Sequence, residues 1–270
     1  MEDVEKLVHS MQNHDLENQS RQNLVQEIKA IIGYEFKDSN LLEQAFTHHS
    51  YLDQDKSSIE SYERLEYVGD ALLNFLTARE HYLSYPDLAP GQLTKLRAAN
   101  VDTEKLARVA FNFKLHKFLR HKKPLLAKQI EEFEKEILEY PIHSTGLIDA
   151  PKNLADLVES LVGAIYMDSN SMDTTWKIVE KLLDPMITPS TVQTHPVTML
   201  YEECQKNKAR VDCKDFWDET GEIEFIVDGD SIGKAKYTAK KSIANNRAAQ
   251  EAYRKFIEKL SQENTGHDQH

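Results

Sequence analysis

Two stretches of the sequence place acidic residues inside apolar runs, where a buried core would be expected. They are ERLEYVGDALLNFL and LADLVESLVGAIYMD, and their embedded acids are Glu66, Asp70, Asp156 and Glu159. Within each run the two acids are spaced three or four residues apart, so on a helix they share one face. Each stretch therefore predicts a helix that carries a pair of carboxylates toward the same side.

A divalent cation is the simplest explanation for such carboxylates. A partly buried, unpaired carboxylate costs several kcal/mol unless a counter-charge compensates it. We expect no Lys or Arg one turn away on the same face of either run, since Arg64 points elsewhere. Mg²⁺ takes oxygen ligands and commonly binds one or two carboxylates beside water and phosphate. The pattern predicts a Mg²⁺ site, with Mn²⁺ as a substitute ion.

Two other interpretations of these acids are solvated helix faces and a di-iron site. Solvated helix faces explain one such pair easily but are less suited to two pairs that both lie in apolar runs. A ferritin-like di-iron site requires Glu-x-x-His on two helices, and neither run contains that pattern.

The chain is acidic overall, yet it contains one basic segment. Its formal net charge is −12 over 270 residues, which on its own disfavours a nucleic-acid partner. The segment from Ser231 to Gln250 nevertheless has no acidic residue, and its basic residues are Lys234, Lys236, Lys240, Lys241 and Arg247. Phosphate binding depends on such a local patch more than on the total charge.

Other features indicate where the protein works. No secretory signal is recognisable at the first residues, and no run approaches the roughly 18 apolar residues of a membrane span. Cys204 and Cys213 are too few for a disulfide scaffold and are expected to pack without pairing, which suits a reducing compartment. We expect the nucleus, the cytoplasm or both, and neither secretion nor a membrane.

The spacing of apolar residues changes near a proline-containing linker, DPMITPSTVQTHP. Before it the pattern is helical, and after it short alternating segments are flanked by helices, in the order α-β-β-β-α. The predicted strands are KDFWDE, EIEFIVDG and IGKAKYTA, separated by the pairs TG and DS. The predicted organisation is a polar tail (1–22), a helical domain (23–186), a linker (187–194), a small α+β domain (195–260) and a polar tail (261–270).

Four motifs in the helical part resemble those of the ribonuclease III family. They are NLLEQAFTHHSY, ERLEYVGDALLNF, GQLTKLRAANV and LADLVESLVGAIYMD, within about residues 25–185. With one catalytic domain, one RNA-binding domain and no helicase, the chain looks most like the plant ribonuclease III-like proteins. The resemblance implies a mainly α N-terminal domain with the ribonuclease III-type helical endonuclease fold.

The resemblance also implies an activity and a site. The activity is that of a Mg²⁺-dependent endoribonuclease, which hydrolyses double-stranded RNA and leaves 5′-phosphate and 3′-hydroxyl ends with short 3′ overhangs. The implied catalytic and metal-binding set is Glu66, Asp70, Asp156 and Glu159. Glu63 matches an auxiliary acidic position. A homodimer through the helix motif is implied as well, with Tyr67 and Val68 as contact residues.

The C-terminal module resembles a double-stranded RNA-binding domain. HPVTMLYEECQ is similar to its first helix and KSIANNRAA to its last. The implied RNA-binding residues are Glu202, Lys234, Lys236, Lys240, Lys241 and Arg247. Tyr201 and Ser242 depart from frequent Gln and Lys positions, and the TG turn is shorter than usual, so a modest affinity governed by duplex shape is expected.

Several points leave alternatives open. An auxiliary acid that many bacterial relatives carry near the position of Pro90 or Gln92 is missing. The segment from Lys123 to Ser144 is longer than in minimal relatives, and an amphipathic helix is favoured over a substrate-gripping insertion. The His48–His49 pair matches a structural position rather than an acid–base one. The competing functions are a catalytically silent scaffold that binds double-stranded RNA and a helical adaptor for proteins.

Overall fold

The computed structural model describes residues 22–52 and 60–267, and it divides the chain into two compact units. One comprises the described residues up to 131 together with residues 150–190, and the other comprises residues 132–149 together with the residues from 191 onward. The predicted polar tail lies almost wholly outside the described residues.

The first unit is helical throughout, as the residue spacing predicts. Residues 22–32 form α1, and the helices after it are Ser39–Ala45 (α2), Glu63–Ser84 (α3), Pro90–Val101 (α4), Thr103–Asn112 (α5), Leu126–Glu139 (α6), Lys152–Ser169 (α7) and Met172–Leu183 (α8). The chain of α6 passes from the first unit into the second. Along the part of the chain that the structure describes, no helix combines the length and apolar content needed to cross a membrane.

Helix α7 is the centre of the first unit. Almost every residue from Asn153 to Ile165 is buried, because α3, α5, α2 and α8 all pack around it. A helix that is apolar on nearly all sides requires such a position. An acid placed on α7 is therefore held within a packed framework.

Two glycines allow α3 and α7 to cross in close contact. A Cβ atom at Gly69 of α3 would lie 1.7 Å from the carbonyl oxygen of Glu159, and one at Gly163 of α7 would lie 2.1 Å from that of Leu65. Neither position can accept a side chain without separating the helices. The crossing places the two acidic motifs opposite each other, since Gly69 lies within about one turn of Glu66 and Asp70 on α3 and Gly163 lies about one turn after Glu159 on α7.

The second unit contains a three-stranded antiparallel sheet with the order β1-β2-β3. Its elements after residue 190 are Pro196–Lys206 (α9), Val211–Phe216 (β1), Trp217–Thr220 (α10), Glu222–Val227 (β2), Asp230–Lys236 (β3) and Lys241–His267 (α11). Ile223, Phe225 and Val227 alternate toward the core on β2. There they meet Leu200 of α9 and Phe256 of α11. The fold is a small α+β domain, as predicted.

Three details of this unit differ from the prediction. The first strand begins at Val211 rather than Lys214, and the expected strand residues from Trp217 onward form the short helix α10. The tight turn lies at Asp228–Gly229 rather than at Asp230–Ser231, because Asp-Gly is favoured in two-residue hairpins and Asp230 pairs with Val227. The last helix continues beyond residue 260 into the predicted tail.

Candidate metal centre and nucleic-acid interface

Three of the four predicted acids form one cluster between α3 and α7. Glu66, Asp156 and Glu159 each offer a carboxylate oxygen, and these oxygens all lie within 4.8 Å of one another. Asp156 is buried, while Glu66 and Glu159 are half-buried. Carboxylate oxygens at such separations suit a hard divalent cation.

A lysine also reaches this cluster, which contradicts the expectation that no basic residue would do so. The Lys152 ammonium donates to Glu66 Oε1 at 3.0 Å and also contacts Asp156 Oδ1. Burial lowers the pKa of Lys152, but its bonds to the two acids outweigh burial and raise the pKa to about 12. Lys152 lies one helical turn before Asp156, so the i, i+4 spacing in the sequence was the signal that could have revealed it.

The acids repel one another despite this lysine. Burial, followed by the charges of Asp156, Asp70 and Glu66, raises the pKa of Glu159 to about 7. Burial also raises the pKa of Glu66, with a further contribution from Asp156. A single ammonium therefore leaves the cluster with excess negative charge, which a divalent cation would stabilise.

Asp70 lies on the same helix but outside the cluster of three. Its side chain is exposed, and its Oδ1 accepts a hydrogen bond from Asn74 Nδ2 at 2.8 Å. Asn74 in turn accepts from the guanidinium of Arg97 on α4. The charge of Asp70 nevertheless contributes to the raised pKa of Glu159. Asn74 lies four residues after Asp70 in the same motif, so the i, i+4 spacing was a signal for their contact, whereas the motif contained no signal for Arg97.

A second set of contacts holds the other oxygen of Asp156, Oδ2. The buried Tyr62 hydroxyl donates to Asp156 Oδ2 at 3.4 Å and accepts from Asn153 Nδ2 at 3.1 Å. The amide oxygen of Asn153 accepts from Lys123 Nζ at 3.0 Å. Together with Lys152, these bonds restrict the orientation of both oxygens of Asp156.

The auxiliary acid Glu63 has local partners of its own. It bonds His49 Nδ1 and the Ser61 hydroxyl, each at 2.6 Å. The Ser61 bond is the main reason that the pKa of Glu63 is lowered, with His49 adding to it. His48 is buried, and its ring accepts from the Ser50 backbone at 2.9 Å, which caps a short 3₁₀ turn. The geometry of His48 is that of a structural residue.

The residues predicted for dimer contact lie on the outer side of α3. Tyr67 is 80% exposed, while Val68 is half-buried. Two further aromatic residues of the same helix, Phe75 and Tyr82, are 55% and 72% exposed. An isolated helical unit therefore presents a row of large apolar side chains to water.

Most of the basic residues predicted to bind RNA have acidic partners within their own unit. Lys234 pairs with Glu222 at 2.9 Å, and Lys241 pairs with Asp215. These acids come from β1 and β2, so inspection of the basic segment alone could not reveal them. The lysine of each pair is exposed, and an ion pair near the surface is worth little and is readily exchanged.

Two of the basic residues contact the segment 132–149. Arg247 pairs with Glu136 at 2.6 Å and donates to the Leu147 carbonyl at 2.7 Å, while Lys240 approaches Asp149 at 3.5 Å. Arg247 is thus engaged by protein groups. Among the described residues, no ion pair is found for Lys236 on β3, and Glu202 is exposed on α9.

Comparison with known proteins is consistent with this site. A sequence model of the Ribonuclease III domain matches residues 63–170, the stretch that contains all four acids. The chain is 50% identical to Ribonuclease 3-like protein 3 of Oryza sativa subsp. japonica, over 88% of this chain and 80% of that protein. It is 40% identical to Ribonuclease 3-like protein 2 of Arabidopsis thaliana, over 86% and 59%.

Two further similarities are to a much longer protein and to a solved nuclease domain. The chain is 43% identical to Endoribonuclease Dicer homolog 1 of Arabidopsis thaliana, over 86% of this chain but 12% of that protein. A crystal structure of the nuclease domain of ribonuclease III from Campylobacter jejuni covers 60% of this chain and 94% of its own, with 26% identity and a TM-score of 0.46. On the extent and identity of the plant matches, the chain belongs to the ribonuclease III family, among its plant ribonuclease III-like members.

Proposed function

We propose that the protein is a divalent-metal-dependent endoribonuclease that cuts both strands of double-stranded RNA. Hydrolysis of the phosphodiester leaves a 5′-phosphate and a 3′-hydroxyl, with short 3′ overhangs. The observation that carries the proposal is the cluster of Glu66, Asp156 and Glu159, held on two helices that cross at paired glycines. A family member that had become a silent scaffold would have no need to keep these mutually repelling acids.

The donor set of this cluster fits Mg²⁺, with Mn²⁺ as a substitute. Glu66, Asp156 and Glu159 would hold the ion through oxygen atoms, with Asp70 contributing from the next turn of α3. A bound divalent ion supplies Lewis acidity toward the phosphate and an activated water. The raised pKa of Glu159 fits this assignment, because a carboxyl that resists ionisation alone becomes stable as a carboxylate beside a cation.

The protein groups around the cluster have separate tasks in this proposal. Tyr62 and Asn153 fix the orientation of the Asp156 carboxylate. Lys152 places a positive charge at the exposed edge of the cluster, where it can accompany a phosphate oxygen. Glu63, which lies at the surface and bonds His49, is assigned an auxiliary role toward RNA.

A homodimer through α3 completes the proposal. Among its described residues each chain has one such acidic cluster, and cleavage of two strands requires two clusters. The exposed row of Tyr67, Phe75 and Tyr82 lies on the helix that carries Glu66 and Asp70. A partner chain docked on this row would therefore be close to the acidic clusters of both chains. Val68 is half-buried and is assigned to the edge of that row.

The second unit is assigned to duplex binding. Lys240 and Lys241 stand at the start of α11, where the helix N-terminus adds partial positive charge toward phosphate. Lys234 and Lys236 project from β3, and Glu202 from α9 can accept hydrogen bonds from ribose hydroxyls. Arg247 is assigned a weaker contribution than predicted, because Glu136 and the Leu147 carbonyl already hold it.

Incubation of the purified protein with long duplex RNA tests this proposal. The reaction is run with Mg²⁺, with Mn²⁺ and with EDTA, and the ends of the products are analysed. We expect metal-dependent fragments that carry 5′-phosphates and 3′-hydroxyls. Binding of the duplex without any cleavage in either metal would instead identify a silent scaffold.

A further inference from the structure

Asp70 is the exposed member of the acidic set, and one neighbour controls its side chain. Asn74 lies four residues further along α3, and its Nδ2 donates to Asp70 Oδ1 at 2.8 Å and to the Asp70 carbonyl at 3.0 Å. An exposed aspartate without such a partner would sample several rotamers. Among the described residues, no hydrogen bond to Asp70 Oδ2 is found, so that oxygen keeps its lone pairs for a ligand.

Arg97 determines which way the Asn74 amide faces. The guanidinium comes from α4, which packs against α3, and it donates to Asn74 Oδ1. Because a guanidinium can only donate, the atom facing it must be the amide oxygen, and the NH₂ group must then face Asp70. The half-buried Arg97 and Asn74 form a directed chain of hydrogen bonds that ends on Asp70.

We propose that Asn74, oriented by Arg97, is a positioning residue that holds Asp70 for divalent-cation binding. The inference rests on the proposed function, since it assigns Asp70 to that metal site. A neutral amide fixes one oxygen of the carboxylate and leaves its charge available to a cation. A direct Arg97–Asp70 ion pair would neutralise that charge, so the intervening asparagine serves the site better than the arginine alone.

A purely local role for Asn74 makes different predictions. Asn side chains on helices commonly bond the carbonyl four residues earlier, and that bond requires neither Arg97 nor the Asp70 carboxylate. If it were the whole role, Asn74→Ala would alter helix stability and leave cation binding unchanged. The two roles are therefore separable by measuring cation binding and stability on the same variants.

The test is Mn²⁺ binding to the full-length protein without RNA, followed by the paramagnetic resonance signal of free Mn²⁺. Asn74→Ala is expected to weaken binding about 10- to 100-fold, the usual effect of losing a residue that orients a metal ligand. Asn112→Ala, at an exposed asparagine on α5, is the matched control and should bind as wild type. Arg97→Met should give a smaller loss in the same direction.

An Asp70→Asn background separates positioning from indirect effects. In that background Asn74→Ala should cause no further loss of Mn²⁺ affinity, because residues that act through one contact are non-additive. Wild-type affinity in Asn74→Ala, or an equal additional loss in the Asp70→Asn background, would overturn the positioning role and leave the proposed function intact. Failure of the wild-type protein to bind Mn²⁺ would overturn both.

Discussion

Glu159→Gln should make the metal-free protein more stable at alkaline pH, although it removes a residue of the proposed site. The pKa of Glu159 is about 7 in the folded protein, against 4.5 for an unperturbed glutamate. Between about pH 5 and 7 the folded state therefore retains a proton that the unfolded chain has lost, so stability falls as the pH rises through this range and stays at the lower level above about pH 7. At about 1.36 kcal/mol for each pH unit, the full difference is about 3 kcal/mol. Because the side chain is only part-buried, solvent screening reduces it to about 1–2 kcal/mol.

Urea unfolding in EDTA at pH 5 and pH 8 measures this effect. Trp176 on α8 and Trp217 on α10 are the two tryptophans of the chain, so a Trp217→Phe background lets fluorescence report the helical unit alone. We expect Glu159→Gln to gain about 1–2 kcal/mol over its background at pH 8 and little at pH 5. Glu131→Gln, at an exposed acid on the part of α6 that belongs to the helical unit, is the control and should change neither value. A Glu159→Gln variant that is less stable at pH 8, or equally shifted at both pH values, would refute the account that burial and the neighbouring acids raise the pKa of Glu159.

Three further predictions concern the helix crossing, the outer face of α3 and the RNA-binding unit. Gly69→Ala should destabilise the helical unit by about 3 kcal/mol in urea unfolding, because its Cβ would overlap the Glu159 carbonyl. Gly91→Ala, whose Cβ meets nothing within 4 Å, should be tolerated. Equal effects of the two substitutions would contradict the close crossing. Tyr67→Ser should shift the protein from dimer toward monomer in light scattering after size exclusion, and an unchanged mass would exclude α3 as the dimer surface. Lys236→Ala should lower the salt dependence of duplex binding by a slope of about 0.9, as for one lost phosphate contact. An unchanged slope would remove Lys236 from the RNA interface.

The helical spacing of the sequence was sufficient to predict where the site is built. Residues three and four apart placed Glu66 with Asp70 and Asp156 with Glu159, and the structure has both pairs on helices, α3 and α7. The sequence shows that each motif contains a glycine, but it does not show why glycine is needed there. Only the crossing shows that Gly69 and Gly163 allow two backbones to touch, because that contact joins residues far apart in the chain.

The partners of the site residues were harder to predict, for different reasons. Lys152 is within reach of sequence reasoning, because it lies four residues before Asp156, but it stands just outside the apolar run that carries the motif. Arg97 is 27 positions beyond Asp70 and acts through Asn74, so only the packing of α4 on α3 reveals it. The basic segment looked unpaired for a similar reason: acids on neighbouring strands, such as Glu222, meet its lysines across the sheet.

Cleavage and duplex binding measured on the same Glu159→Gln protein test the central assignment most directly. The variant removes one carboxylate from the cluster while leaving the C-terminal unit and its lysines untouched. In Mg²⁺ we predict duplex binding within about threefold of wild type, a change below 1 kcal/mol, together with loss of cleavage beyond detection. Cleavage by the variant at a near wild-type rate would contradict the assignment of the metal centre to Glu66, Asp156 and Glu159.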